Sequence, residues 1–308
     1  MPILSCNGID IACETSGDPA GMPLMLIMGL GMQLISWPED FVASLADQGF
    51  YVIRFDNRDS GLSQKFTAAG SPSVPLAYLK TLVRWPVKSA YTLADMAADA
   101  VGVLDALGVR HAHIVGVSMG GMIAQLLAAT YPDRVLSLTS IMSTSGRRGL
   151  PGPTRQARAV LMKRPADPKD LDCLIAHGAN TFKVIGSPAY PTSERVRREQ
   201  VARALRRNAC PSGVARQMVA IAASGERSAL LRTIAAPTLV IHGAADPLIP
   251  LAGGKDTARQ IPGARLEVIE GMGHDLPAQL LERITALIDA HARGKMDAGS
   301  IARSTEKQ

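Results

Sequence analysis

The sequence predicts an α/β fold, a mostly parallel sheet with helices on both faces. Short apolar runs alternate with amphipathic helical patterns, and the connections between them are short. One such run passes directly into a glycine-rich turn and then a helix, in the segment HIVGVSMGGMIAQ at 113–125. The alternation is interrupted from about 146 to 234, where helical patterns follow one another without strands. These observations predict one sheet domain with an inserted helical lid.

The chain opens with a predicted β-hairpin, because the runs ILSC and DIACE flank Asn7-Gly8, a pair suited to a turn with positive φ. The run MPLMLIMG (22–29) ends at glycine and predicts a buried strand. WPEDFVASLADQGF (37–50) has helical spacing, and YVIRFDNR (51–58) predicts the next strand.

A strong helical pattern follows at 91–109, where Thr92 can cap the first turn. Strand and helix patterns then continue to the C-terminal part of the chain. In order, these elements are the strand HAHIVGVS (111–118), the helix MGGMIAQLLAATYP (119–132), the strand VLSLTSIMS (135–143), the strand APTLVIHG (236–243), a helix near 251–261, the strand ARLEVIEG (264–271) and a helix from about 276 to 293.

The predicted domains are a sheet core at 1–145 and 234–293, a lid at 146–233 and a flexible tail at 294–308. Four helical patterns fill the lid: TRQARAVLMKR, LDCLIAHGANTFKV, SERVRREQVARALRRN and GVARQMVAIAAS. The irregular segment 64–90 carries the apolar piece PLAYLKTLVRWP, which we expect to be either a short helix near the lid or a long loop.

The chain has 308 residues and a net charge of +6, and the charge is unevenly distributed. From Arg147 to Arg232 the chain holds 17 Lys/Arg and 6 Asp/Glu, so this segment is strongly basic and the remainder is acidic. No aromatic residues interleave the arginines and no nucleic-acid motif is present, so we expect no nucleic-acid partner. We interpret the arginine-rich helix at 193–207 as a solvated face. An acidic substrate, an acidic membrane surface or a partner subunit are the alternatives.

No stretch approaches the roughly 18 continuous apolar residues of a membrane helix, and the first residues lack the pattern of a signal peptide. The four cysteines form no C-x-x-C pair, and no histidine lies at metal-like spacing from them. We therefore expect a cytoplasmic protein with free thiols, no membrane span, no metal site and no cofactor. The sequence is compatible with a homo-oligomer.

Ser118 stands in the turn Gly116-Val117-Ser118-Met119-Gly120, between a strand and a helix. A turn this sharp strains the backbone, and we expect side chains at 116 and 120 to collide with the serine. Glycine at both positions leaves the Ser118 hydroxyl exposed at the carboxyl edge of the sheet and at a helix N-terminus. The pattern predicts a serine nucleophile, with a capping serine in an ordinary tight turn as the alternative.

A serine hydroxyl needs a base, which should lie in the loop after the last strand, where VIEGMGHDLP supplies His274. A third group must orient the imidazole, and Asp246 follows the preceding strand in VIHGAADPLIP. The order Ser, Asp, His along the chain suits a nucleophile on this kind of sheet. Asp275 is the competing acid, but adjacent residues rarely orient each other's rings. We predict Ser118, Asp246 and His274 as the catalytic residues.

The oxyanion that develops during acyl transfer needs backbone donors. We predict the N–H group of Met119, at the helix start, and that of Leu30, in the loop MGLGMQ. Glycines beside Leu30 allow close approach to the backbone there. An apolar acyl or alcohol pocket is expected between the lid and the sheet. The predicted substrate-binding residues are Gly29, Met32, Met142 and Met218.

With these residues placed, the chain resembles the α/β-hydrolase superfamily across roughly 1–293. The motifs that carry the resemblance are MGLG, FDNRDSGLS, VGVSMGGM, APTLVIHGAADPLIP and GMGH. The chain is most similar to lidded bacterial carboxylesterases and the aclacinomycin methylesterase-like group. The resemblance implies an eight-stranded sheet, a helical lid after the sixth strand, and acyl-ester hydrolysis. Met28 departs from the pattern, because many relatives carry the histidine of a His-Gly pair there.

We expect a serine-dependent carboxylesterase that acts through an acyl-enzyme on small to medium apolar esters. The alternatives are lactone opening, carbon–carbon bond hydrolysis or perhydrolysis by the same residues, or a non-catalytic ligand-binding protein. Relatives with an aspartate nucleophile are disfavoured, because Ser118 occupies the turn. Asp56 and Arg58, in FDNRDSGLS, could contact substrate, but we expect them to tie the loop after the strand through an ion pair or turn hydrogen bonds.

Overall fold

A single sheet of eight strands organises residues 2–295, which are the residues that this computed structural model describes. The strands are β1 (Ile3–Cys6), β2 (Ile9–Ser16), β3 (Met22–Ile27), β4 (Phe50–Phe55), β5 (Ala112–Val117), β6 (Val135–Ile141), β7 (Thr238–Gly243) and β8 (Arg265–Ile269). Across the sheet their order is β1-β2-β4-β3-β5-β6-β7-β8. The β1–β2 and β2–β4 pairs are antiparallel and all the others are parallel. The predicted mostly parallel eight-stranded sheet is confirmed.

Helices connect most of these strands. In the described residues they are α1 (Glu39–Asp47), α2 (Val74–Leu82), α3 (Leu93–Ala106), α4 (Met119–Thr130), α5 (Arg155–Met162), α6 (Leu171–Ile185), α7 (Glu194–Arg207), α8 (Pro211–Ser224), α9 (Ser228–Leu231), α10 (Leu251–Gln260) and α11 (Leu281–Ala292). Helices α5 to α9 lie between β6 and β7 in the chain, where the sequence predicts an insertion.

The core has two layers because successive strand residues point to opposite faces of the sheet. Met25 and Ile27 of β3 pack in one cluster with side chains of α3 and α4. Leu24 and Leu26, which alternate with them in sequence, pack in a second cluster with side chains of α1 and α11. The sheet is therefore covered by helices on both faces, as predicted.

Local signals in the sequence fix several element ends. Asn7 and Gly8 have φ of 51° and 77°, which closes the β1–β2 hairpin at the predicted turn. The Thr92 side chain accepts a hydrogen bond from the N–H of Asp95, whose carboxylate accepts one from the N–H of Thr92. This reciprocal capping box starts α3 where the helical pattern begins.

The last helix begins later than predicted. We expect it from about 276, whereas α11 starts at Leu281 after a short 3-10 turn at Ala278–Leu280. Pro277 is the physical reason, since its φ of −70° and ψ of 145° keep the chain extended. A proline also disfavours helical geometry at the residue before it.

The inserted helices pack both on one another and on the sheet core. Helix α6 packs against α5 and α7, and a small apolar cluster that includes Ile175 and Val201 lies between α6 and α7. Helix α8 packs against α3 and α2, and α9 packs against α4 and α10. Segment 64–90, for which the sequence left helix and loop open, thus contains a helix beside the lid. The boundaries of the lid at 146 and 233 stay predictions.

No helix within residues 2–295 combines the length and the apolar character that a membrane crossing needs. The predicted tail at 294–308 lies outside the described residues, apart from Gly294 and Lys295.

Candidate active site

Three side chains from the ends of different strands meet at the carboxyl edge of the sheet. Ser118 follows β5, Asp246 follows β7 and His274 follows β8. The Ser118 Oγ lies 2.9 Å from His274 Nε2, and His274 Nδ1 lies 2.7 Å from Asp246 Oδ2. The carboxyl ends of parallel strands share one edge, which is why residues so far apart in the chain can converge there.

Ser118 has a strained backbone, with φ of 56° and ψ of −119°. A non-glycine residue adopts such a conformation only when its surroundings enforce it. Its N–H donates to the Ile141 carbonyl at 2.9 Å, and its own carbonyl accepts from the Ser143 hydroxyl at 2.8 Å. These contacts anchor the turn to the end of β6 and hold the serine at the start of α4.

The glycines around Ser118 avoid collisions with neighbouring backbone. A Cβ on Gly116 would overlap the carbonyl oxygen of Gly120, and a Cβ on Gly120 would overlap the carbonyl oxygen of Ile27. The closest overlaps at both positions are thus with backbone atoms of Gly120 and Ile27. The expected collision with the serine itself stays a prediction. The glycines are needed because α4 starts directly against the turn and against the end of β3.

The Asp246 carboxylate is positioned to orient the imidazole of His274. Its Oδ1 accepts hydrogen bonds from the N–H groups of Leu248 and Ile249, both at 2.8 Å, so its Oδ2 is left facing His274. A carboxylate can only accept, so the proton on this side belongs to Nδ1. The lone pair of Nε2 then faces the Ser118 hydroxyl, which is the tautomer that a base requires.

Neighbouring titratable groups make other contacts. The Asp275 carboxylate accepts a hydrogen bond from the Ser187 hydroxyl at 2.5 Å, and burial raises the pKa of Asp275. His242 Nε2 lies 2.8 Å from the carbonyl oxygen of Ile249, and burial lowers the pKa of His242. The hydrogen-bond partners of Asp275 and His242 are thus Ser187 and the backbone of Ile249 rather than Ser118.

The loop with the second predicted oxyanion donor lies against Ser118. Leu30 follows Gly29, and a Cβ on Gly29 would stand 3.2 Å from the Cβ of Ser118. Met119 is the first residue of α4, where backbone N–H groups have no partner from a preceding turn. Met119 is next to Ser118 in the chain, and the loop of Leu30 lies next to Ser118 in space. Their role as an oxyanion hole stays a prediction.

The predicted substrate-binding methionines lie in three different places. Met142 is buried directly after β6, with φ of 42°. Met32 is partly buried and packs against the apolar cluster that contains Met142. Met218 is partly exposed on the lid helix α8. Their contact with substrate, and that of Gly29, stays a prediction.

The lid holds the loop of Leu30 by a contact that the sequence analysis missed. Gln217, on α8, is fully buried, and its Oε1 accepts a hydrogen bond of 2.8 Å from the N–H of Gly31. Its Nε2 donates to the carbonyl of Arg58 at 2.8 Å and to the hydroxyl of Ser60 at 3.0 Å. The available signal was a polar Arg-Gln pair that interrupts the apolar pattern of GVARQMVAIAAS.

A second contact ties the same loop to the end of α7. The Gln33 amide donates to the carbonyls of Ala204 and Asn208 at 2.8 and 2.7 Å. Its Oε1 accepts from the guanidinium of Arg207 at 2.7 Å, and Arg207 also lies 2.7 Å from Asp56 Oδ2. The lid therefore contacts the loop from two helices.

The histidine loop is tied to the lid in the same way. The N–H of His274 donates to the carbonyl of Ile185 at 2.7 Å. The N–H of Gly273 donates to the hydroxyl of Ser187 at 2.8 Å, which links this loop to the residues that follow α6. Side chains and backbone carbonyls from the segment between β6 and β7 thus support both the loop of His274 and the loop of Leu30.

Asp56 and Arg58 tie the loop after β4, as expected. Asp56 is buried and accepts hydrogen bonds from the N–H groups of Leu34 and Leu62 at 2.7 and 2.8 Å. Arg58 forms a buried ion pair of 2.6 Å with Asp99. These side chains are fully engaged within the protein and connect the loop to its neighbours.

The chain is similar to a known protein family and to two named methylesterases. Residues 22–278 match the family described as alpha/beta hydrolase fold. The chain is 33% identical to rhodomycin D methylesterase DauP of Streptomyces sp. strain C5, over 94% of this chain and 97% of that protein. It is 31% identical to rhodomycin D methylesterase DnrP of Streptomyces peucetius, with the same coverage.

A solved structure with a similar fold is the meta-cleavage product hydrolase CumD of Pseudomonas fluorescens IP01. The TM-score is 0.74 at 20% identity, over 96% of this chain and 98% of that one. At this identity the likeness concerns the fold alone.

Proposed function

Because the chain belongs to the alpha/beta hydrolase family, we propose that it hydrolyses carboxylic esters through an acyl-enzyme on Ser118. The observation that carries the proposal is the chain of two short contacts, 2.9 Å from Ser118 to His274 and 2.7 Å from His274 to Asp246. The two methylesterases that share about a third of the sequence support an ester as the substrate class.

Acylation begins when Nε2 of His274 accepts the proton of the Ser118 hydroxyl. The serine oxygen attacks the ester carbonyl carbon and the carbonyl oxygen takes up the negative charge. The imidazolium is stabilised by Asp246, whose Oδ2 accepts from Nδ1. His274 then donates its proton to the leaving alkoxide, and the alcohol departs from the acyl-serine.

Deacylation repeats these steps with water in place of the serine. His274 removes a proton from a water molecule, which attacks the acyl carbon. Collapse of the second tetrahedral intermediate breaks the bond to Ser118 Oγ, and His274 returns the proton to the serine. The carboxylic acid leaves and the enzyme is restored.

The oxyanion is held by the N–H groups of Met119 and Leu30 in this proposal. Removing one such donor typically costs about a hundredfold to a thousandfold in turnover. The approach of Gly29 to within contact of Ser118 supports the placement of Leu30 beside the reacting carbon. Met32, Met142 and Met218 are proposed to line an apolar pocket for small to medium esters. A methyl ester is the first alcohol portion to test, because both relatives are named as methylesterases.

The proposal is tested with a panel of p-nitrophenyl and methyl carboxylic esters, with and without Ser118→Ala. We expect turnover by the wild-type protein and a loss of about 10⁴-fold or more in the variant. A fluorophosphonate probe should label the wild-type protein at Ser118 and leave the variant unlabelled.

Ser44→Ala serves as the matched control, because Ser44 lies on α1, which covers a face of the sheet. It should keep both turnover and labelling. Undiminished turnover by a folded Ser118→Ala variant would exclude the proposed nucleophile.

A further inference from the structure

Helix α2 presents its apolar side to solvent. Across residues 2–295 thirteen large apolar side chains are exposed, and six of them lie between 76 and 85. They are Leu76, Tyr78, Leu79, Leu82, Val83 and Trp85. With about 3.6 residues per turn, the first five are neighbours around the helix and form one continuous face. Leu82 is 80% exposed and Trp85 67%, whereas the small Ala77 is buried against the protein.

This orientation is the reverse of that of an ordinary surface helix, which turns its apolar side inward. A contiguous exposed patch of leucines and tryptophan indicates an interaction surface. Helix α2 already has its intramolecular partner, since it packs against α8 through its other side. The outer face is left exposed to solvent in the described part of the chain.

The charged residues in the stretch of chain that carries this face are all positive. Residues 60–94 contain no Asp or Glu. Lys80, Arg84 and Lys88 make no ion pair with any residue in the described part of the chain. An apolar face bordered by unpaired cations is complementary to a surface that is both apolar and negatively charged.

A cavity of about 240 Å³ opens between α8 and the residues that precede and follow α2 in the chain. Lys88, Ser89 and Arg216 contribute its polar lining. Arg216 is already paired with Asp59 at 2.7 Å, but the buried Ser89 hydroxyl has no hydrogen-bond partner among the described residues. A lysine and an unpartnered hydroxyl suit the phosphate of a lipid headgroup.

We propose that α2 and the residues up to Lys88 dock onto the surface of an anionic lipid bilayer. The leucines enter the boundary between headgroups and acyl chains, Trp85 lies at the headgroup level, and the three cations contact lipid phosphates. A second copy of the chain is the competing occupant. A symmetric contact through this face would place the cations of both copies against one another, at an electrostatic cost.

Tryptophan fluorescence tests the proposal directly, because the chain has two tryptophans and only one of them is on this face. Trp37 is fully buried, so a change on adding vesicles reports on Trp85. We expect a blue shift with phosphatidylcholine vesicles that contain phosphatidylglycerol, and a much smaller one with pure phosphatidylcholine. Added salt should weaken the shift. Trp85→Phe should abolish it.

Vesicle flotation gives the affinity. Leu82→Glu should lower the partition onto anionic vesicles about tenfold or more, since it removes a leucine from the apolar contact and adds a negative charge. Leu230→Glu is the matched control, because Leu230 is 43% exposed on α9, away from this face, and its partition should equal that of the wild type. Turnover of a water-soluble ester and circular dichroism check that both variants are folded.

Three results would overturn the proposal. The first is folded protein that does not float with anionic vesicles. The second is equal partition of the Leu82→Glu variant and the wild type. The third is a dimer in sedimentation velocity that Leu82→Glu disperses, without any vesicle binding. None of these outcomes depends on the proposed ester hydrolysis, which the Ser118→Ala experiment tests separately.

Discussion

The side-chain oxygen of Gln217 accepts a 2.8 Å hydrogen bond from the backbone N–H of Gly31, and the two residues are 186 positions apart. Gly31 directly follows Leu30, whose N–H is the proposed oxyanion donor. Gln217 is fully buried and also donates to the carbonyl of Arg58 and the hydroxyl of Ser60. A lid side chain thus sets the position of a loop that borders the nucleophile.

Gln217→Met should lower kcat about tenfold to a hundredfold with little change in KM, because the donor at Leu30 loses its support while the pocket keeps its volume. Steady-state kinetics on a p-nitrophenyl ester measures this split. Ser224→Ala, on the same helix, removes a hydrogen bond to the N–H of Leu93 and is the matched control. Equal losses of turnover in both variants would show that Gln217 supports only folding.

Asp246→Asn and Asp275→Asn should differ strongly in their effect on turnover. The first variant replaces the acceptor at His274 Nδ1 and favours the wrong tautomer, so we expect kcat to fall by about 10⁴-fold. The second changes a group that faces Ser187, so we expect less than about a tenfold loss. Pre-steady-state and steady-state rates on one ester give both values. A larger loss in Asp275→Asn would reassign the acid.

Arg207→Gln should destabilise the fold, whereas Arg206→Gln should not. Arg207 lies 2.7 Å from the fully buried carboxylate of Asp56, and removing it leaves that charge without its ion-pair partner. The expected loss in free energy of unfolding is about 3 kcal/mol. Arg206 is exposed and borders an open groove on α7, so its substitution should stay within about 0.5 kcal/mol.

Urea unfolding of both variants measures these values, and turnover of a neutral ester should be unchanged in Arg206→Gln. A substantial loss of turnover there would contradict the interpretation of the basic helix face as merely solvated.

Stability should fall as the pH is lowered through the acidic range, with His113 as one cause. Burial lowers the pKa of His113 from 6.5 to about 4, so the folded protein keeps this ring neutral. Below pH 6.5 the unfolded chain binds the proton first, and stability present above that pH is lost progressively down to about pH 4. Burial lowers the pKa of His242 and of His291 as well, which adds to the same slope.

His113→Asn should have a shallower pH dependence. The difference in unfolding free energy between the two proteins should change by about 3 kcal/mol across this window. Urea denaturation at several pH values from neutral to acidic gives the slope. A constant difference would mean that His113 titrates alike in the folded and unfolded states.

The sheet, most element ends and the family resemblance could be predicted because they follow from local patterns. Apolar runs, the capping Thr92 and the glycines around Ser118 each act within a few residues. The meeting of Ser118 with His274 follows from one rule, that parallel strands end at a common edge.

The supports of the site could not be predicted, because they join distant segments. The Arg-Gln pair in α8 marks a polar interruption of an apolar pattern, but it does not show what Gln217 binds. Gln217 with Gly31, and Ser187 with Gly273, are contacts across 186 and 86 residues. Helix α2 illustrates another limit. Its periodicity shows that one side is apolar, but the direction of that side depends on where α8 lies.

The hydrogen bonds from the lid to the loops of Gly31 and Gly273 have a consequence for protein engineering. Replacing the segment between β6 and β7 with that of a homologue would remove Gln217 and Ser187. Within residues 2–295, the sheet core has no side chains of its own that make these hydrogen bonds to the two loops. Grafted specificity would then come with a disordered catalytic centre. A chimera retains activity only if the donor segment brings equivalents of Gln217 and Ser187 in register with those two loops.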